Sequence, residues 1–157
     1  MGIASRLGPW LLGTVKDTYG TTAGTIRNMG PTHSFQSRAV AYGDTTAQTL
    51  LAVLPAGSYI QQVQFLTTTA YTTTAPTFAI FVNGTAISGT VTAGTAGATG
   101  IAGIALGTAN PALVSNVGLN DAIVSFTQVN GGGGTGAGVL SVSYVVRNPD
   151  GTYEPNE

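Results

Sequence analysis

The segment from Leu54 to Ala70, LPAGSYIQQVQFLTTTA, constrains the fold more than any other stretch. An apolar run, Leu50 to Leu54, meets the turn Pro55-Ala56-Gly57, and a long segment then leaves it with a period of two. Proline presets φ at the first central position of a tight turn, and glycine accepts the backbone that follows. Successive side chains of a strand alternate between faces. Gln61, Val63, Phe65 and Thr67 therefore share one face, and Ile60, Gln62, Gln64 and Leu66 the other. Val63 and Phe65 mark the core side, with Gln62 and Gln64 turned to water.

The same texture extends in both directions. Ser34 to Val40 alternates loosely and closes at Tyr42-Gly43-Asp44, and Gln48 to Leu54 reads as the next strand. After a threonine-rich loop, Ala70 to Ala75, the segment Thr77 to Val82 puts Phe78, Ile80 and Val82 on one face and Phe81 on the other. Asn83-Gly84 is the strongest two-residue hairpin signal in the chain and predicts that Thr85 to Ile87 returns antiparallel. Asn83-Gly84-Thr85 also matches a glycosylation acceptor, but the turn accounts for the same residues.

Gly89 to Gly107 is rich in Gly, Ala and Thr and reads as a long surface loop with at most one short strand. No Lys-Ser/Thr pair and no helix opening accompany its glycines, so it is not a phosphate cradle. Asn110 to Val117 reads as a weak strand interrupted by Pro111. Ala122 to Val129 follows, with Val124 and Phe126 inward and Ser125 and Thr127 outward. Asn130 to Gly134 is a hairpin tip, and Ala137 to Val146 the last strand, with Leu140, Val142, Tyr144 and Val146 on one face. About eight short strands without helical periodicity predict an all-β fold, a jelly-roll-like β-sandwich.

The first residues differ in kind. Met1 to Thr32 carries Gly2, Gly8, Gly13, Gly20, Gly24 and Gly30 with Pro9 and Pro31, which oppose a long helix. Trp10, Leu11, Leu12, Val15, Tyr19 and Ile26 are too apolar for a solvated tail. The segment reads as an extended arm, packed either on its own domain or on a neighbour; the sequence leaves both open. The expected organisation is an arm over 1–32, a sandwich over 33–147 and a tail over 148–157.

Charge narrows the function classes. Charged residues make up 7% of the chain and the formal net charge is -1, which disfavours a strongly basic nucleic-acid binder. Between Thr45 and Asn120 there is no charged side chain. Arg6, Lys16, Arg27 and Arg38 lie near the front, and Asp150, Glu154 and Glu157 near the end. So little charge lowers solubility as a free monomer and favours an assembly as the working state. The 43% hydrophobic content argues against disorder. No run approaches the roughly 18 apolar residues of a membrane helix, and the Trp10-Leu11-Leu12 cluster is too short for a signal-peptide core. A soluble protein without a cleavable export signal, acting on neither nucleic acid nor membrane, is the expectation.

A search for chemistry finds little. There is no cysteine, which removes thiolate metal sites and disulfides. His33 is the sole histidine, and its nearest charged neighbours in sequence, Arg27 and Arg38, cannot orient it as a carboxylate would. Asp44 and Asp121 could in principle flank a sugar, but both sit in turn contexts where Asp satisfies backbone N–H groups. No calcium-type cluster of oxygen ligands occurs. The expectation is a non-enzymatic protein with no cofactor and no metal.

The hairpin LPAGSYIQQVQF, the Thr-Thr-Ala that follows, PTFAIFVNGT, and the closing GVLSVSYV resemble a pattern in small structural proteins of tailed bacteriophages. The opening RLGPWLLGTVKDTYGTTAGTIRNMGPT resembles the N-terminal arm of such proteins. The resemblance spans Arg6 to Val146. It implies a capsid cement or decoration role: a sandwich, often a homotrimer, on the outer surface of the virion, made in the host cytoplasm and bound to the major capsid protein. Contacts to capsid or to neighbouring copies are then expected from Trp10, Leu11, Leu12, Lys16, Tyr19, Ile26 and Arg27. The alternative is a tail or head fibre component, or a host-surface carbohydrate-binding module using Trp10, Tyr71 or Tyr153.

Overall fold

A computed structural model describes residues 32–44, 47–130 and 134–147. Among the described residues nine strands and one short helix form, in the order β1 (Thr32–Ala41), β2 (Thr49–Leu54), β3 (Tyr59–Thr69), β4 (Thr77–Val82), β5 (Thr85–Ala86), β6 (Val91–Thr92), β7 (Gly100–Ile104), α1 (Pro111–Ser115), β8 (Ala122–Val129) and β9 (Ala137–Val146). One sheet has the order β1-β9-β3-β7; the other has β2-β8-β4-β5, with β6 also on β4. All pairings are antiparallel. Consecutive long strands alternate between sheets, and the first and last strands pair with each other. That connectivity is the jelly roll expected from the sequence.

The core forms where the two sheets face each other. Val63 and Phe65 of β3, Phe78, Ile80 and Val82 of β4, Val124 and Phe126 of β8, and Leu140 and Val142 of β9 are fully buried. Three rings carry contact across the sandwich: Phe65 lies 4.7 Å from Phe78, which lies 6.0 Å from Phe126 at an edge-on 61°. Tilted and edge-to-face pairs at these separations add to the gain from burying the rings.

Bulges modify the alternation. Ile60 pairs with Tyr144 but Gln62 pairs with Ser143, so Gln61 is the extra residue. A bulge shifts the side-chain phase by one. Ile60 is therefore buried, although simple alternation places it opposite Val63. A second bulge in β2, between Leu50 and Ala52, buries both Leu51 and Ala52.

Three local expectations change. The glycine-rich stretch supplies two strands, and β7 joins the edge of the sheet that contains β3, away from its sequence neighbours on β4. The segment after Asn110 is a helical turn and not a strand, because Pro111 occupies its first turn, where a missing N–H costs nothing. Thr32 belongs to β1, one residue inside the expected arm boundary. The rest of the arm, residues 131–133 of the hairpin tip and the tail from Asn148 lie outside the described residues.

The Asn83-Gly84 turn forms as expected. Asn83 has φ 48° and Gly84 φ 79°, the left-handed pair that a two-residue hairpin requires. Val82 then faces Thr85.

Candidate assembly surface

Register places Thr32 beside Val146, so the first and last described strands bring residues 32 and 146 side by side at one end of the sandwich. A polar clasp holds that end together. The guanidinium of Arg147 stands 5.0 Å over the ring of Tyr59, and its Nε donates to Gly57 O at 3.0 Å. Its Nη2 donates to Ser115 O, which ties α1 to the same point. Gln61 Nε2 donates to Tyr59 Oη at 3.4 Å, and Gln61 Oε1 lies 3.1 Å from His33 Nδ1. The Pro55-Gly57 turn, α1 and the end of β9 thus form a fixed root for both terminal segments.

Each residue weighed for catalysis has a hydrogen-bond partner within the sandwich. His33 meets an amide, and Asp44 Oδ2 accepts the Ala41 N–H at 2.8 Å within its turn. Asp121 Oδ1 accepts the Ala56 N–H at 3.1 Å, bracing the Pro55 turn. Among the described residues no group of three or more His, Cys, Asp or Glu could hold a metal ion.

The outer faces of the two sheets expose several large apolar side chains. On the β1-β9-β3-β7 sheet, register aligns Ala39, Val139, Leu66 and Ile101 in one row across all four strands. Ile101 is 69% exposed at the β7 edge. The next row, Ser37, Ser141, Gln64 and Gly103, is polar or bare, and Phe35, 74% exposed on β1, opens the row beyond it. On the other sheet, Val53 faces Ile123, both about half exposed. Leu50 and Phe81 flank Ser125, which is buried between them and donates to Gln48 Oε1 at 3.3 Å.

Trp10, Leu11, Leu12, Lys16, Tyr19, Ile26 and Arg27, the contact residues expected from sequence, all lie outside the described residues. Trp10 and Tyr153 of the carbohydrate alternative do too. Tyr71 is only 1% exposed, packed edge-on against Phe65, and so offers no ring to a sugar. The apolar surface residues of the sandwich were not singled out by sequence reading. Leu66 and Ile123 could have been found as the off-core phase of apolar strands. Ile101 could not, because it sits in a stretch that reads as loop.

No family model matches the sequence. No curated protein sequence matches it either. Among solved structures, a chain of the cyanophage Pam1 capsid asymmetric unit is similar over 85% of this chain and 98% of its own length, with a TM-score of 0.52 and 18% identity. A chain from infectious bursal disease virus, Gt strain, aligns with 86% of this chain and 38% of its own, with a TM-score of 0.31 and 9% identity. The cyanophage likeness is one of fold.

Proposed function

We propose that this chain is a phage capsid cement or decoration protein: it binds the outer surface of the head, stabilises contacts between major capsid subunits, and acts as a homotrimer without catalysing a reaction. The likeness of fold to a chain of the cyanophage capsid carries the reading, since it covers 85% of this chain and 98% of that one. The surface supports it. A sandwich whose outer faces hold an apolar row and exposed Phe35, Val53 and Ile123 is suited to burial against other protein. In this reading the arm adds Trp10, Leu11, Leu12 and Ile26, whose burial contributes about 25 cal/mol per Å². Many weak copies acting together hold a shell more firmly than any single contact.

The test is to add the purified full chain to heads assembled without it, then measure co-sedimentation and image the heads. Saturable binding with density on the outer head surface is expected. Density confined to the tail, or none on the virion, overturns the reading.

A further inference from the structure

We infer that copies of this chain join edge to edge, with β7 of one copy pairing antiparallel to β1 of the next to continue the β1-β9-β3-β7 sheet. The inference rests on the self-association in the proposed function and names the surface responsible; attachment to a capsid is independent of it.

Both edges are open to such pairing among the described residues. No described strand pairs with the outer side of β1 or of β7. Exposed strand edges template the addition of another strand, and natural proteins usually block them with charge, proline or a bulge. Neither strand is blocked in that way. Gly100–Ile104 contains no charged residue, no proline and no register shift against β3. Along β1 only Val40 is buried among the described side chains, and its one charged residue, Arg38, turns to Leu50 O at 2.8 Å.

A second copy is the occupant that fits. The sheet has four strands in antiparallel order, so its two edges run in opposite directions. A copy added by rotation about an axis along the strands therefore offers β1 antiparallel to β7, with the same face outward. With Ile101 beside Ala39 of the next copy, the apolar row Ala39-Val139-Leu66-Ile101 runs on unbroken. The same register sets Gly103 beside Ser37, joining polar row to polar row, and Ala105 beside the exposed Phe35. On the β7 side, the absence of charge from Thr45 to Asn120 leaves no electrostatic mark for a foreign acidic or basic strand. Such a contact uses two different patches, so it closes into a ring when the rotation permits.

The chain has no cysteine, which makes disulfide trapping clean. Within one copy residues 39 and 101 sit three strand spacings apart, about 14 Å. That exceeds the roughly 7 Å Cα reach of a disulfide, so any 39–101 bond joins two copies. Mixing full-length Ala39→Cys with Ile101→Cys under mild oxidation should give a covalent dimer containing one of each. Each variant alone should stay uncrosslinked, and the double variant should trap a closed ring. Ser37→Cys mixed with Gly103→Cys checks the register, and a Cβ at Gly103 meets nothing within 4 Å. Ile101→Lys, with unchanged circular dichroism, should lose the oligomer by native mass spectrometry at concentrations where the parent is assembled. A dimer from Ile101→Cys alone would mean two-fold β7–β7 pairing and overturn the proposal, as would a monomeric parent or no cross-link in the mixture. Binding of the uncrosslinked parent to heads is scored separately, so failure here is distinguishable from failure of the capsid reading.

Discussion

The side-chain amide of Gln36 pairs with the backbone of Val53 at both ends: Nε2 donates to Val53 O at 2.8 Å, and the Val53 N–H donates to Oε1 at 3.3 Å. Gln36 belongs to one sheet and Val53 to the edge strand of the other, so this amide acts as a short piece of β-ladder closing the side of the sandwich. Arg38 Nη1 extends the closure to Leu50 O, and Gln36 Nε2 also reaches Tyr144 Oη at 2.9 Å. Replacement by Ala removes the pairing. Gln36→Ala should cost about 1–2 kcal/mol, since each net hydrogen bond is worth about 1. Thermal unfolding should show this as a drop of roughly 3–8 °C. Gln36→Glu, which keeps the acceptor and loses the donor, should not restore stability.

Gly138 lies in β9 where Phe65 and Leu66 of β3 cross it. A Cβ there would collide with the Phe65 ring and with the Leu66 carbonyl oxygen, and a backbone atom in a paired strand cannot give way. Gly138→Ala should destabilise by about 3 kcal/mol, the upper range for overpacking. At Gly103 the space is open, and Gly103→Ala should stay within about 0.5 kcal/mol of the parent. Urea denaturation of the two variants side by side checks the contrast.

Asn83 carries two duties in the β4–β5 hairpin. It holds φ 48°, and its Oδ1 accepts the Ile123 N–H at 2.8 Å while its own N–H donates to Ile123 O at 2.8 Å. Asn83→Ala should lose about 2 kcal/mol, from left-handed backbone strain together with the lost side-chain bond. Asn83→Gly should recover about 1 kcal/mol of that by removing the strain alone. Equal losses for the two variants would refute the division.

Burial holds the Tyr71 hydroxyl above the usual tyrosine range; the hydrogen bond from Gln128 opposes this and the charge of Asp44 adds to it. A folded-state pKa above the unfolded one favours folding fully below the unfolded value and loses that contribution as pH rises. Stability should therefore be insensitive to Tyr71 below about pH 10 and decline above it, where an unfolded tyrosine ionises first. Tyr71→Phe should flatten the alkaline limb when unfolding free energy is followed from pH 8 to 11.

Removing residues 1–31 tests the division of labour between arm and sandwich. The truncated chain should fold and keep its melting temperature within a few degrees while its occupancy on heads falls. A truncated chain that fails to fold would make the arm part of the core.

The fold was legible where local chemistry decides it. Pro55-Gly57, Asn83-Gly84 and the Phe78/Ile80/Val82 face follow from turn geometry and period-two alternation. The failures share a cause in pairing partners distant in sequence. Ile60 turns inward because β9 sets a bulge at Gln61, and no residue near Ile60 announces it. The strand β7 lies at an edge and buries only Ile104, with Ala102 half-buried, so Gly and Ala serve along most of it and leave little apolar pattern to read. The exposed rows were harder still. A row is defined across strands, and Ala39 and Ile101 share one only through β9 and β3.

The clasp at the root of the arm uses Arg147, while the outer rows carry no ionised group. A contact made by those rows gives dissolved ions nothing to screen, so added salt should not weaken it. Temperature acts on it instead: apolar burial weakens on cooling. Attachment made through these faces should loosen in the cold before it loosens in salt.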